Sequence, residues 1–356
     1  MAAIGQTGRS FKMAFAKHGT NSWGVAASVT MGVHFESDGA MQLKPAMITD
    51  QAFNQAFLST AQPGLVESPS LSLPGSERYE DYQFVLEALA MGSPAAVAIS
   101  TSASGQTTSW THQFDLATAI DGLGATFAID KNLYVDELTS SKINGFELVQ
   151  DDRGRMVKTY SVIGSKPTNI SSVNINSTVA GASYPALGNR ALQQEGVFRM
   201  NLHSAGAVGA SDAIEAESIR FRFNRPQDAP HVFGQDYVTE PADNGHPEFL
   251  IEITRPRMNT PAANSMYAAV RSGVAFKADW TFLGAFINST DRFKILYQYP
   301  YLQPMDDGFL AATTGAQQIK PVLKLRPALA PTSPTGMAFV NPFRLTRIMT
   351  NSTVAF

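Results

Sequence analysis

No cysteine occurs anywhere in the chain. Disulfides, thiolate metal sites and cysteine nucleophiles are thereby excluded. Charge is scarce as well: Asp, Glu, Lys and Arg make up 16% of the residues, against roughly 25% in ordinary soluble domains. Ala, Ser, Thr, Asn and Gly stand in their place, and a surface poor in charge is easily desolvated, which suits life inside an assembly. With 27 basic and 30 acidic residues the net charge is −3. No basic surplus exists, so tight nucleic-acid binding, which needs clustered Lys and Arg, is not expected. No apolar run reaches the roughly 18 residues of a membrane helix. The stretch Met1-Ala-Ala-Ile-Gly-Gln-Thr-Gly lacks a basic region followed by an apolar one, so no secretory signal is expected and the default location is the cytoplasm of the cell that makes it.

Motifs that carry chemistry are missing too. The histidines His18, His34, His112, His203, His231 and His246 show no metal-ligand spacing such as HExxH. His246-Pro247-Glu248 reads as a turn before a strand. Asp151-Asp152 and Asp306-Asp307 are carboxylate pairs of a kind that serves calcium binding or acid–base work. Each lies beside a glycine where a turn is expected, and Asp favours such turns for its local hydrogen bonds. Gly122-Leu-Gly124 lacks the third glycine and the Lys-Ser/Thr of a phosphate loop. Ser100, Ser102, Ser104 and Ser109 lie in a low-complexity loop without a nucleophile elbow. Arg220, Arg222 and Arg225, near Arg255 and Arg257, read as a solvated strand face or a subunit salt bridge. Tyr297, Tyr299 and Tyr301 alternate as a packed sheet face does. No catalytic, cofactor or metal residue is expected, and the chain is not expected to be an enzyme.

What the chain does hold is a pattern met twice. At 356 residues it is long enough for two cores. Leu71 and Leu73 alternate with serines, Pro74-Gly75-Ser76 turns the chain, and a helical run from Tyr79 to Met91 stops at Gly92-Ser93-Pro94. Later Ile251 and Ile253 alternate with polar residues, Arg255-Pro256 turns the chain, and a run from Thr260-Pro261 stops at Gly273. Val85, Leu86 and Leu89 match Met266, Tyr267 and Val270, each pair 181 positions apart. The spacing predicts two related β-rich modules, with helices over 78–91 and 261–271.

Short period-two runs separated by turns indicate a β-sandwich or barrel. They cover 31–35, 41–48, 106–117, 125–129, 135–138, 143–149, 156–163, 197–201, 218–223, 249–254, 274–286, 292–299, 319–325 and 338–348. The clearest hairpin joins Phe146 to Tyr160 through Asp151-Asp-Arg-Gly154, whose glycine supplies the positive φ of the turn. The predicted fold is mainly β: two tandem β-sandwich or partial-barrel modules, each flanked by a short α-helix, with long loops. Its parts are an N-terminal arm (1–26), a first module (27–203) holding an extended loop (164–195), a linker (204–210) and a second module (211–356). Apolar residues on the arm and loop (Phe11, Phe15, Trp23, Val173, Ile175 and Tyr184) are expected to serve contacts between subunits.

The opening Phe15-Ala-Lys17-His-Gly-Thr20-Asn-Ser-Trp23-Gly24-Val-Ala-Ala27, followed by strand, glycine and strand, resembles the major tail tube proteins of long-tailed (siphovirus-like) bacteriophages. Many of these begin with Lys-Glu-Thr-x-Tyr/Trp-Gly-Thr, matched here by Lys17, Trp23 and Gly24. The chain departs at His18-Gly19, where an acidic residue is usual, and Asn21-Ser22 lengthens the loop. The strand 214–223, with Glu215, Glu217 and Ser218, is similar to the second-module entry of the longer members. The resemblance implies a structural virion protein that stacks as rings into a tail tube, a conduit for genome delivery. It further implies rings of three two-module chains with pseudo-sixfold symmetry, and the tail terminator, tape measure and distal tail proteins as partners. Double-stranded DNA would pass transiently and without specificity. The implied location is the virion tail, after synthesis in the host cytoplasm, without a membrane stage.

A lumen that DNA slides through should carry acidic and neutral residues rather than basic ones. Polar positions of the 146–160 hairpin and of 292–299 are the lumen candidates, with Lys158, Arg292 and Lys294 fitting poorly. Three other readings stay open: another virion component (capsid, tail terminator or baseplate), an outer-membrane barrel, and a carbohydrate-binding β-sandwich. Tubes, shells, micelle-bound barrels or monomers under the electron microscope separate them.

Overall fold

The computed structural model describes residues 11–18, 22–36, 45–48, 62–66, 70–93, 96–101, 105–151, 153–169, 172–187, 189–235, 237–255, 268–305 and 322–353. The chain is mainly β. In order come β1 (Lys12–Lys17), β2 (Met31–Val33), β3 (Pro45–Ile48), β4 (Gln62–Val66) and β5 (Ser70–Ser76), then helix α1 (Gln83–Met91). Next are β6 (Ala96–Thr101), β7 (Ser109–Asp115), β8 (Ala125–Asp130), β9 (Val135–Gln150), β10 (Met156–Gly164), β11 (Pro167–Thr168) and β12 (Gly196–Leu202). The remainder holds β13 (Ser218–Asn224), β14 (Gln227–Asp228), β15 (Ala242–Asp243), β16 (Glu248–Thr254), β17 (Phe276–Phe286), β18 (Arg292–Pro304), β19 (Val322–Pro327) and β20 (Arg344–Met349).

Sixteen of these strands form one antiparallel sheet whose main path runs β2-β1-β8-β9-β13-β16-β19-β18-β20-β7-β6. The path has two ends and does not close into a barrel. From it branch β10 with β5, β11, and the pair β17–β12. The alternation read from the sequence is obeyed: Phe221, Phe223, Ile251, Ile253, Leu323 and Leu325 all point into the core. There Phe221 meets Tyr297 and Tyr299, with ring centroids 6.0 and 5.3 Å apart. Phe343 lies against Phe146, Phe221 and Phe223. Such edge-to-face clusters add to the area term of aromatic burial.

Helix α1 does not flank the sheet as expected. Every one of its nine residues is buried. Its sequence, Gln-Phe-Val-Leu-Glu-Ala-Leu-Ala-Met, is apolar on all sides but for Gln83 and Glu87, and such a helix needs cover all round. It stops at Gly92, which takes φ 71° and donates to Ala88 O, while Ser93 N also reaches Ala88 O. A Cβ at Gly92 would lie 2.8 Å from Ala119 O, so glycine is required twice over. Residues 268–271 are helical as well and end the same way. Gly273 takes φ 69° and Val274 N donates to Ala269 O. Residues 261–267 lie outside the described residues. An antiparallel hairpin follows each stop: β6–β7 after the first, β17–β18 after the second.

The strands of the two expected halves are interleaved. β9 pairs with β13, β7 with β20, and β12 with β17. Arg225 fastens the junction. Its buried guanidinium donates to Ala90, Met91, Ala117 and Thr118 carbonyls and pairs with Asp243 at 3.2 Å. A cation over the last carbonyls of α1 also opposes the helix dipole.

Several sequence expectations need correction. The alternation of Phe11, Met13 and Phe15 marks a short strand within the expected arm, and residues 12–17 do form one, but it is an interior strand between β2 and β8, with Phe15 fully buried. Both faces of that strand are covered, because Ala14 and Ala16 are small enough to pack where polar residues would be solvated. The strands expected at 135–138 and 143–149 are one strand, β9. The polar run Thr139-Ser-Ser-Lys142 hid the continuity. It is buried with its partners supplied: Ser141 Oγ donates to Ala125 O, and Lys142 Nζ to Pro241 O at 2.7 Å. β6 was assigned to a serine-rich loop.

The 164–195 segment is irregular as expected, but it lies along its own chain. Asn176 accepts from Val29 N and donates to Ala27 O and Glu137, and Ser183 exchanges hydrogen bonds with Thr30 and Gly32. Asp151 takes the turn role: its Oδ1 accepts from Arg153 N and Arg155 N. Asp152, Asp306 and Asp307 lie outside the described residues.

Candidate assembly surface

The groups best equipped for chemistry are sealed inside. Glu77, Glu87, Lys158 and Arg347 are each at most 1% exposed. Lys158 Nζ lies 2.9 Å from Glu77 and 2.6 Å from Tyr297 Oη, and also bonds Glu87. Arg347 grips Glu87 through Nε at 2.8 Å, reaches Glu77 with Nη2, and donates to Arg78 O. Burial by itself would raise the Glu87 pKa, but Arg347 and Lys158 outweigh it and the net shift is downward. Two carboxylates matched by two cations, closed to solvent, clamp α1 between β10 and β20. No substrate reaches them. This placement also removes Lys158, which fitted poorly among the lumen candidates of the 146–160 hairpin, from any surface. Sequence reading missed the cluster because its members are far apart in the chain. The one local signal was a lone glutamate in an otherwise apolar helix.

Nearby Asp81 is 2% exposed. Burial raises its pKa to about 6, against the smaller opposing pull of His34 and Arg78. Because the folded value lies above the unfolded one, its contribution is complete below pH about 4 and is lost as pH rises through about 6. We expect Asp81→Asn to stabilise the protein at pH 8 by about 3 kcal/mol, from a shift of roughly two units at 1.36 kcal/mol each, with the gain gone near pH 4. Urea unfolding at the two pH values checks this. A gain that is the same at both would show that the carboxylate's charge is not the cause.

The histidines are scattered, each with its own neighbour: His18 with Thr126 Oγ1, His34 with Pro185 O, His112 with Asn351 O and His203 with Pro300 O. Among the described residues no group of three metal-type ligands comes together.

The surface is where unmet valence remains. Three strands at the margins of the sheet are covered by the chain itself. Along β2, Gly32 N donates to Ser183 O and Ser183 N to Thr30 O. At β5, Glu36 N donates to Pro74 O, and along β12, Ile214 N donates to Phe198 O. β6 differs: among the described residues nothing is bonded to its outer edge. Its sequence, Ala-Val-Ala-Ile-Ser-Thr, holds no charge and no proline, and Ile99 is 56% exposed. Natural edges are usually blunted by Lys, Pro or a bulge; β6 has neither lysine nor proline, but its register with β7 shifts between Ile99 and Thr101, so only the regular stretch before that shift is left as a candidate edge.

A second feature lies in the long loop. Asn174 and Asn176 are buried, whereas Val173 and Ile175 are 64% and 57% exposed. The alternation is inverted because the asparagines satisfy backbone and carboxylate groups that no apolar side chain could serve, as when Asn174 Nδ2 donates to Val135 O. Leu133, 78% exposed, lies two residues before that acceptor. Of the other apolar residues expected to make contacts, Phe15 is in the core. Tyr184 is half-buried, with its ring against Gly32, and Trp23 Nε1 donates to Val238 O.

The third feature is the open face across β9, β13, β16 and β19. Glu147 and Glu252 flank Arg220 at 2.6 and 3.4 Å. The hydrogen bond that Arg220 Nε donates to Glu147 is the main reason the Arg220 pKa is raised. Lys324 stands opposite Glu252 in the register. Charge on this face alternates in sign from strand to strand, as favourable cross-strand pairs do. The arginine cluster anticipated at 220–225 is thus split. Arg220 and Arg222 look outward, and Arg225 turns inward to α1. Compared with family models and with curated proteins, the chain matches none.

Proposed function

We propose that this chain is a structural subunit that joins copies of itself edge to edge into rings, and that the rings stack into the tail tube of a long-tailed bacteriophage. The observation that carries the reading is β6, an uncharged edge with no strand on its outer side among the described residues, on a sheet that runs through both halves of the chain. In a ring β6 of one copy would add to a different edge of the next, since β6 pairing with β6 would close a dimer, and that addition removes the hazard of leaving β6 open. The repeated helix stop at Gly92 and Gly273, each followed by a hairpin, supports two related modules per chain. Six modules to a ring then means three chains. On the open face Arg220 is already bound to Glu147 and Glu252, so that side chain is not free to hold a phosphate.

Electron microscopy of the purified protein tests this directly. Tubes with sixfold-like end views and three chains of mass per ring are expected. Six chains per ring would sink the two-module stoichiometry, and closed shells would favour a capsid role. Ile99→Lys places a solvated charge on the edge strand and should abolish polymers while leaving the far-UV circular dichroism of the monomer unchanged. Normal tubes from that variant would remove β6 from the interface.

A further inference from the structure

We infer that a hydrophobic knob at Phe233 of one copy docks into an apolar groove beside Leu329 on the next copy. This inference rests on the self-assembly reading above.

The knob is the tip of a hairpin that leaves the sheet after β13 and returns at β16. Its stem is β14–β15, and His231 and Val238 form a further antiparallel bridge. At the tip, Gln235 N donates to Val232 O across Gly234, whose φ is 84°. The shank is braced: Thr239 N donates to Pro230 O, Val238 O accepts from Trp23, and Lys142 holds Pro241 O and Glu240. On this held frame Phe233 is 106% exposed and Val232 48% exposed. A phenylalanine fully in water at the end of an ordered turn contributes nothing to the fold of its own chain. Its conformational freedom is already reduced, which lowers the cost of ordering it in a complex.

The groove lies at the other end of the same excursion, near the starts of β16 and the end of β19. It encloses about 940 Å³, with walls that include Leu116, Phe249, Leu250, Pro327 and Leu329. Leu329 is 65% exposed. The other large cavity, about 920 Å³, also has apolar walls such as Phe35, Ile129 and Leu187, but mixes them with Lys12, Glu36, Arg78 and Arg190, a more charged lining than that of the groove beside Leu329. Charge agrees with the choice. Exposed Asp228 lies on the knob's shank, and exposed Arg222 and Arg326 stand at the groove's rim. Glu248, also at the rim, is engaged by Asn224.

Since Phe233 is wholly exposed, it fills no groove of its own chain. One copy therefore carries an empty groove and an undocked knob on different parts of its surface. Such a contact is head-to-tail, which builds rings or stacks rather than closed pairs. One ring is too small an anchor for a stable dimer by itself, so the contact adds to the β6 edge and does not replace it.

The absence of cysteine makes the test clean. A Phe233→Cys chain mixed with a Leu329→Cys chain, under mild oxidation, should give a heterodimeric disulfide in yields well above those of Phe233→Cys mixed with Ile175→Cys. Phe233→Asp should raise the concentration needed for polymer formation about ten-fold or more, with an unchanged circular dichroism spectrum because the side chain touches no core. Polymers from Phe233→Asp at the wild-type concentration, or cross-linking at the control level while the wild type still polymerises, would overturn the knob and groove alone. A wild-type chain that sediments as a monomer at every concentration, with cross-linking at the control level, would overturn the assembly reading and this inference together.

Discussion

Replacing Arg347 by methionine is expected to lower unfolding stability by about 3–5 kcal/mol, the usual effect of removing one partner from a buried ion group. Glu77 and Glu87 would then share only Lys158, with no water to take up the remaining charge. Arg347→Lys should recover part of the loss, since it restores the charge but not the fork that reaches Glu77, Glu87 and Arg78 O together. The denaturant midpoint is the measurement. A midpoint unmoved by Arg347→Met would mean that the cluster holds nothing in place. The double change Glu87→Gln with Arg347→Met should be milder than the sum of the singles, because it removes opposite charges in pairs.

Deleting residues 1–20 is expected to abolish folding, not merely assembly. The deletion takes away β1, which bonds β2 along one edge and β8 along the other. It also takes Met13 and Phe15 from the core and His18 from its contact with Thr126. A strand read as a detachable arm is thus a structural member, and the loss of Phe15 alone is of the order of 3–5 kcal/mol. Removing residues 1–10 leaves β1 whole. Soluble, cooperative unfolding of the 1–20 deletion would show that β2 and β8 do not depend on it.

Much of this was readable from periodicity. Alternation placed β10, β13, β16 and the 146–160 hairpin, because each has one face in the core and period-two patterning records that directly; β8 is buried on both faces, and β5 runs on through Pro74-Gly75-Ser76, read as a turn, to pair with β10. Gly92, Gly154 and Gly273 marked stops and turns for the reason glycine always does, a positive φ. What escaped was set by tertiary partners. The middle of β9 looked like a loop because its serines and Lys142 satisfy one another's neighbours inside the protein. Short β1 looked peripheral because nothing in Met-Ala-Phe-Ala announces two neighbouring strands. The exposed residues of the proposed assembly surface were legible only in part. Val173 and Ile175 stood out as apolar residues on a long loop, but β6 and Phe233 gave no sign until the edges and the hairpin were in place.

Arg347 follows Glu87 by 260 residues, and that separation governs when the protein can mature on the ribosome. The helix and its carboxylates emerge long before the strand that neutralises them and pairs with β7. Loop closure over such a distance is slow, so the early part of the chain must wait, partly open, until β20 has emerged. A chain that stops short of β20 keeps two anions in its interior with one cation between them. We expect chains ended before Arg344 to be degraded or aggregated in the cell, which pulse-labelling can follow. Stable accumulation of such chains would sink the idea. A fold that closes only when β20 is in place leaves no stable half-made form to compete with the finished one.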